Sequence, residues 1–369
     1  MVSGSPAASG SPAAGSGSQA ASGSQAASTG DGDVRTVELA NGAGMSVSLS
    51  NHGARVLGIR CPDREGRVDD VVLGFDTIEE YVTHASLYFG CTVGRVANRI
   101  AGSSFDIGAE QFTLAANEGR HHLHGGSARS LDKVVWDLEP GVDPARSVTF
   151  RYVSPNLEEG YPGVLTVSTT YSLGDGNELR IDYLASADRP TPVDLTNHVY
   201  WNLHGAGDGT ALDHELVIDA DLYAQTDDCL IPIGPLVMVD GGPLDFRTAH
   251  AIGERIGSLR ATPAQGYDHC FILRLADGMR HAATVRDGCT GRVLDMWTTQ
   301  PALQLYTGNR LPAVTGKGGR RYGLFGGMCL EPEHVPDALH HPQFPPIVLE
   351  PGATYSQTTI VRLSIDRLD

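Results

Sequence analysis

What most narrows the folds open to this chain is its rhythm from residue 34 onward, where short runs of alternating apolar and polar residues are each closed by Gly, Asn, Asp or Pro. Residues 34–39 and 45–49 flank Asn41-Gly42, and residues 164–173 and 178–185 flank Gly174-Asp175-Gly176-Asn177. Both are hairpin signatures, because Gly and Asn tolerate the positive φ that tight antiparallel turns demand. Further strand-like runs fall at 148–153, 215–218, 269–273, 292–297, 302–306 and 355–365. Helix signals are confined to 77–82, where Thr77 and Glu80 have capping-box spacing, and to 248–256. Many strands with no strand–helix alternation predict an all-β chain, a large antiparallel sandwich or barrel with few short helices. No Gly-rich phosphate loop follows a strand, which excludes nucleotide-binding folds.

Residues 1–30 are built almost wholly from Ser, Gly, Ala, Pro and Gln in near-repeats. Such a segment buries too little apolar area to offset its ordering entropy, so a disordered tail is expected, with residues 31–369 forming the folded domain. No basic residue precedes Arg35, which argues against a targeting segment. The formal charge of −17 repels phosphate backbones and anionic lipid, so neither nucleic acid nor a membrane surface is an expected partner. The six cysteines form no CxxC pair, and no apolar run is long enough to span a bilayer. The expectation is a cytoplasmic protein, monomer or weak dimer, acting on a small molecule.

Several segments carry residues able to do chemistry. Residues 194–203 set His198, two asparagines and two aromatics in a run with mostly apolar alternate positions, which reads as a strand with one polar face. In residues 94–100, Arg95, Asn98 and Arg99 sit among apolar neighbours, where an arginine is usually a structural ion pair. His122-Leu123-His124 would put two imidazoles on one strand face, a metal-like spacing. The residues just beyond offer no third ligand, so no metal is assigned, and Gly125-Gly126 instead suggests a tight turn or a close approach to His124. Asp268 stands at the threshold of an apolar strand, where a turn aspartate is common. Glu331 ends an apolar run and is followed by Pro332; a glutamate there is costly unless paired or used, which makes it the best candidate base.

The segments GRVANRI (94–100), HLHGG (122–126), EEGYPG (158–163), TNHVYWNL (196–203), GYDHCFIL (266–273), TTQPALQLYTGN (298–309) and CLEPEHVPDA (329–338), in this order, resemble those of the galactose mutarotases, the aldose 1-epimerases. The resemblance implies a large β-supersandwich holding a monosaccharide and an enzyme interconverting the α and β anomers of free hexoses without a cofactor. Carried over position by position, Glu331 matches the family's catalytic base and His198 its catalytic acid, with His124 beside them. Asn98, Arg99, Asp268 and Gln304 match its sugar-binding residues. Trp201 stands where the family usually has Phe, and Glu333 where Gln is usual.

The chemistry fits those residue types independently. Opening a hemiacetal ring requires removal of the C1 hydroxyl proton and delivery of a proton to the ring oxygen; rotation about C1–C2 and reclosure then invert the centre. With reference pKa values of about 4.3 for Glu and 6.5 for His, Glu331 is expected ionised and His198 needs a nearby carboxylate, Glu331 or Asp268, to stay protonated. Tyr200, Trp201 and Tyr306 are candidate platforms for a sugar ring, with core packing the alternative for each. Three other readings compete: a hexose-6-phosphate epimerase, which calls for extra basic residues; an inert sugar-binding protein, which has no need of the Glu331 and His198 pair; and a glycosidase, whose second carboxylate would be Asp268 or Glu333.

Overall fold

The computed structural model describes residues 28–29 and 32–366. The predicted tail thus lies outside the described residues except for Ser28–Thr29, which pairs with Gly32–Asp33. Three sheets of nine, six and four strands carry the architecture, and the strand pairs within them are antiparallel. The expected sandwich is what forms. The hairpin around residues 174–177 is Leu165–Leu173 against Glu178–Ala187, and the long strand Tyr355–Ile365 sits between Glu178–Ala187 and Arg292–Thr298 at the centre of the nine-stranded sheet.

The first predicted helix forms as Ile78–Thr83 with the expected capping box: the Thr77 hydroxyl accepts from the Glu80 amide, and the Glu80 carboxylate accepts from the Thr77 amide. The second is shorter than predicted, Ile252–Ile256, because Ala251 at its start offers no side-chain acceptor to the free amides of the first turn. His250–Ala251 instead pairs with Glu215 and Leu216 as the edge of the nine-stranded sheet. Among the described residues no helix is long and apolar enough to cross a membrane, and no cysteine is disulfide-bonded.

The six-stranded sheet runs in the order Tyr200–Trp201, Met328–Glu333, Ala302–Tyr306, Asp268–Leu273, Ala220–Thr226, Pro232–Met238. Every residue of Met328–Glu333 is buried, so both its faces meet protein interior. Leu330, Met328, Leu303, Leu305, Phe271 and Trp201 join the main hydrophobic cluster, which also contains Ile181, Met296 and Val361 of the nine-stranded sheet. Side chains alternate along a strand and cross-strand partners share a face, so the register Gln304–Glu331, Tyr306–Cys329, Tyr200–Cys329 and Asp268–Tyr306 puts all of these on the opposite face. One face therefore holds the core and the other holds the chemistry.

Residues 194–203 do not form one strand. Thr196–Asn197 pairs with Thr92–Val93, Tyr200–Trp201 pairs with Met328–Glu333, and between them His198 exchanges backbone bonds with Gly90 and Cys91. The 89–91 segment is held from beneath by the buried Arg55, which donates to the carbonyls of Phe89, Asp132 and His52 at 2.6, 2.9 and 3.3 Å. Gly90 has φ +67°, and a Cβ there would strike the Val56 carbonyl. Arg55→Met would leave these buried carbonyls without donors. The expected loss is on the order of 3–5 kcal/mol of unfolding free energy, read by urea denaturation; an unchanged midpoint would mean the guanidinium does not hold this segment.

Candidate active site

A cavity of about 190 Å³ opens on the chemical face of the six-stranded sheet, lined by Tyr88, Asn98, Arg99, His124, His198, Tyr200, Asp268, Gln304, Tyr306 and Glu331 among others. All seven residues singled out by sequence as site residues line it. They reach it from separate parts of the chain. Glu331 and Gln304 sit opposite each other on adjacent strands, Asp268 comes from the next strand, and His198 comes from the crossover described above. Asn98 and His124 each adopt positive φ, +58° and +50°, and the His124 amide donates to the Asn98 carbonyl at 2.9 Å.

Glu331 is 2% exposed, its Oε2 has no hydrogen-bond partner among the described residues, and its Oε1 lies 3.8 Å from His198 Nε2. The imidazole of His198 is stacked between Tyr88 and Tyr200, with ring centroids 5.7 and 5.1 Å away, and its Nδ1 lies 3.4 Å from the Cys329 thiol. His124 approaches His198 edge-on at 5.3 Å. Its Nδ1 accepts from the Asn98 amide at 3.2 Å, so in the neutral ring the proton is on Nε2. Arg99 is held by Glu118 at 2.6 and 2.9 Å and faces Asp268 at 3.9 Å, and Asp268 accepts from Gln304 at 2.6 Å. Behind them Glu333, also buried, accepts from the Asn98 side-chain amide at 2.9 Å.

The electrostatics reverse one expectation from sequence. Burial pushes the His198 imidazole down to about 4, with no carboxylate acting to raise it, so it is neutral at pH 7. Burial and the nearby Asp268 charge push Glu331 well above the usual carboxylate range, with Arg99 opposing them. Neither Glu331 nor Asp268 holds His198 protonated; the two shifts run in opposite directions, each toward the uncharged form of its group. Burial and the Glu331 charge likewise raise Glu333.

Other assignments are sorted by where the side chains point. Arg95 is the structural arginine of its segment, donating to Ser154 and to the carbonyls of Pro155 and Pro162. His122 bonds the Ala115 carbonyl and the Tyr161 hydroxyl, so the two imidazoles of His122-Leu123-His124 diverge and no pair forms. At Gly125, φ +80°, the close approach is by backbone: a Cβ would meet the Gly94 carbonyl. Tyr200 and Tyr306 line the cavity, whereas Trp201 faces the core. Tyr88 and Glu118 also line the cavity, though the sequence did not single them out. Tyr88 sits in the left-handed conformation just after residues 85–87, and no local pattern marks it; Glu118, in the Asn117-Glu118-Gly119 turn, was the available carboxylate partner for Arg99.

A cavity with a buried carboxyl beside a buried imidazole, two tyrosine rings and converging hydrogen-bonding side chains, set on a β-supersandwich, defines an enzyme site for a small polar molecule. The chain belongs to the aldose 1-epimerase family, whose sequence profile matches residues 35–362. It is 42% identical over 322 residues to a galactose mutarotase from Bos taurus, covering 87% of this chain and 92% of that one. It is 38% identical over 329 residues to an aldose 1-epimerase from Escherichia coli, covering 88% and 94%. Among solved structures, an aldose epimerase homologue from C. elegans superposes with TM-score 0.82 at 30% identity, covering 90% of this chain and all of that one. A galactose 1-epimerase from Lactobacillus acidophilus gives TM-score 0.80 at 28% identity, covering 92% and 97%.

The two pKa shifts have opposite signs and predict opposite slopes. His198 folds with a depressed pKa, so its share of stability is present above pH 6.5 and is lost as pH falls toward 4; Glu331 folds with a raised pKa, so its share is present at low pH and is lost as pH rises. Between pH 7 and 4.5, wild type should lose about 2–3 kcal/mol relative to His198→Asn and gain relative to Glu331→Gln, measured by urea unfolding at both pH values. Parallel pH profiles for all three proteins would contradict the assignment.

Proposed function

We propose that this protein interconverts the α and β anomers of free aldohexoses such as galactose and glucose, with Glu331 and His198 exchanging the protons of ring opening and closure. The observation that carries the reading is the pair itself: a buried carboxyl with an unpartnered oxygen, 3.8 Å from a buried imidazole, both on the wall of a small cavity. In the cyclic complex Glu331 takes the C1 hydroxyl proton and His198 gives one to the ring oxygen. In the open-chain complex the same two groups hold the proton in the other order. After rotation about C1–C2, either face of the aldehyde is closed by the reverse transfers. The pair therefore carries one mobile proton throughout, and its two placements are the two stages of the reaction.

The remaining side chains take positions suited to a neutral sugar. His124 offers its Nε2 proton, Arg99, Asn98 and Gln304 offer donors, and Asp268 offers an acceptor, the pattern needed for hydroxyls that both donate and accept. Tyr200 and Tyr306 offer ring faces and edges. Asp268 is engaged by Gln304 and Arg99, and Glu333 is not among the residues that line the cavity, so neither carboxylate is placed to serve as the second group of a glycosidase.

Polarimetry on freshly dissolved α-D-galactose and α-D-glucose tests the reading. Wild type should accelerate the optical relaxation, and His198→Asn and Glu331→Gln should each lose at least about two decades in kcat. The acid limb of kcat/KM should fall near pH 4, where His198 takes a second proton and the pair loses its base, rather than near 6.5. No acceleration by wild type, or activity surviving in either variant, would reject the acid–base roles of Glu331 and His198; activity on an aryl glycoside, which lacks a free C1 hydroxyl, would point to hydrolysis instead.

A further inference from the structure

Away from the cavity, two loops bring a second set of ligating side chains together. One follows Tyr200–Trp201 and carries His204 and Asp208; the other is the turn between Arg280–Arg286 and Arg292–Thr298 and carries Asp287 and Cys289. Single ligand atoms of His204, Asp287 and Cys289 all lie within 4.8 Å of one another, and His204 Nδ1 is 3.6 Å from Asp287 Oδ2. Ligands at about 2.0–2.3 Å around a tetrahedral cation stand roughly 3.3–3.8 Å apart, so this spacing needs little adjustment. We propose that His204, Asp287 and Cys289 form a binding site for one borderline-soft divalent cation of the zinc type.

The surroundings match what such a site requires. The other ring nitrogen of His204 faces the Asp208 carboxylate at 3.6 Å, an outer carboxylate that orients the imidazole and raises its basicity. Asp287 is buried, its Oδ2 accepting from the Thr290 hydroxyl at 2.6 Å and the Thr290 amide and its Oδ1 from the Cys289 amide, which leaves one acceptor position on Oδ1 for a cation. The guanidinium of Arg292 holds the first loop by donating to the Leu203 carbonyl at 2.9 Å and the His204 carbonyl at 3.4 Å, so the two loops keep a fixed relation before any ion arrives. Fully buried His214 accepts from the Leu203 amide at 2.8 Å, and its Nδ1 has no partner among the described residues, although it stands close enough to feel both Asp287 and His204. A mixed nitrogen, oxygen and sulfur donor set disfavours Mg²⁺ and Ca²⁺, which prefer all-oxygen shells, and suits Zn²⁺ with water completing the sphere. Binding converts the Cys289 thiol to a thiolate and releases its proton to solvent, so affinity rises with pH. Bound there, the cation would tie the end of the six-stranded sheet that follows His198 to a hairpin of the nine-stranded sheet.

The test is equilibrium dialysis of the chelator-stripped full-length protein against Zn²⁺ at pH 6.5 and 7.5, with the rate of thiol modification and the mutarotation rate followed in parallel. Cys289 and Cys229 are the exposed thiols among the described residues, so one equivalent of Zn²⁺ should protect one of two fast-reacting groups. Cys289→Ser and His204→Gln should each abolish binding or weaken it by at least tenfold, and Asp208→Asn should weaken it by about 10–100-fold, all with the basal mutarotation rate unchanged. Stoichiometric binding that survives Cys289→Ser and His204→Gln, or that inhibits mutarotation in wild type and variants alike, would place the cation at the buried His198, Cys329 and Glu331 instead and overturn the proposal. No binding at 100-fold molar excess would overturn it as well.

Discussion

A strand buried on both faces must solve two packing problems with one alternating sequence, and Met328–Glu333 is where this fold does so. Its even positions, Met328, Leu330 and Pro332, are apolar and meet the hydrophobic interior; its odd positions, Cys329, Glu331 and Glu333, are polar and have to find partners or a use on the other side. The neighbouring strands repeat the division, with Leu303 and Leu305 against Gln304, and Phe271 against Asp268 and Cys270. A one-residue slip of this strand would exchange its two faces, driving Glu331 and Glu333 into the core. The placement of the site and the stability of the sandwich are therefore one constraint.

That constraint explains what sequence alone could and could not reveal. Hairpin turns and the Thr77–Glu80 capping box are local, and they were legible because each is decided by a few adjacent residues. Glu331 was legible because a charged residue closing an apolar run conflicts with its surroundings. The stretch around His198 reads as a single strand in the sequence because its alternation holds across two short pieces with different partners, and the change of partner depends on Arg55 and Gly90, more than a hundred residues upstream. Trp201 and Tyr200 are consecutive aromatics with opposite fates, and only the register against Met328–Glu333 distinguishes them. Tyr88 carries no motif at all; it reaches His198 through a left-handed turn.

The protonation of the pair was the least legible property, since it depends on desolvation. From residue types alone the carboxyl is the anion and the imidazole is the natural cation. Buried together with one ion-paired arginine nearby, each group is instead shifted toward its uncharged form, which favours a proton on Glu331 over one on His198. On the proposed reading this does not remove the acid or the base. The count of protons on the pair is the same in either placement, and only their relative energies change.

On the proposed reading, that change of relative energy is useful. The ring-opened stage is the one in which Glu331 holds the proton and His198 is neutral, which is also the distribution that burial favours in the free site. A site that instead stabilised carboxylate and imidazolium strongly would bind the cyclic sugar well and resist opening it, because stabilising the starting state alone raises the barrier. The opposing influences on Glu331 keep the two placements from diverging too far: Asp268 and desolvation lift its proton affinity, while Arg99 lowers it. Arg99 exerts that pull while clamped to Glu118, so its position does not depend on the sugar. An enzyme that must run in both directions between two anomers gains most from a proton that neither partner holds too tightly, and a buried pair with balanced neighbours provides one.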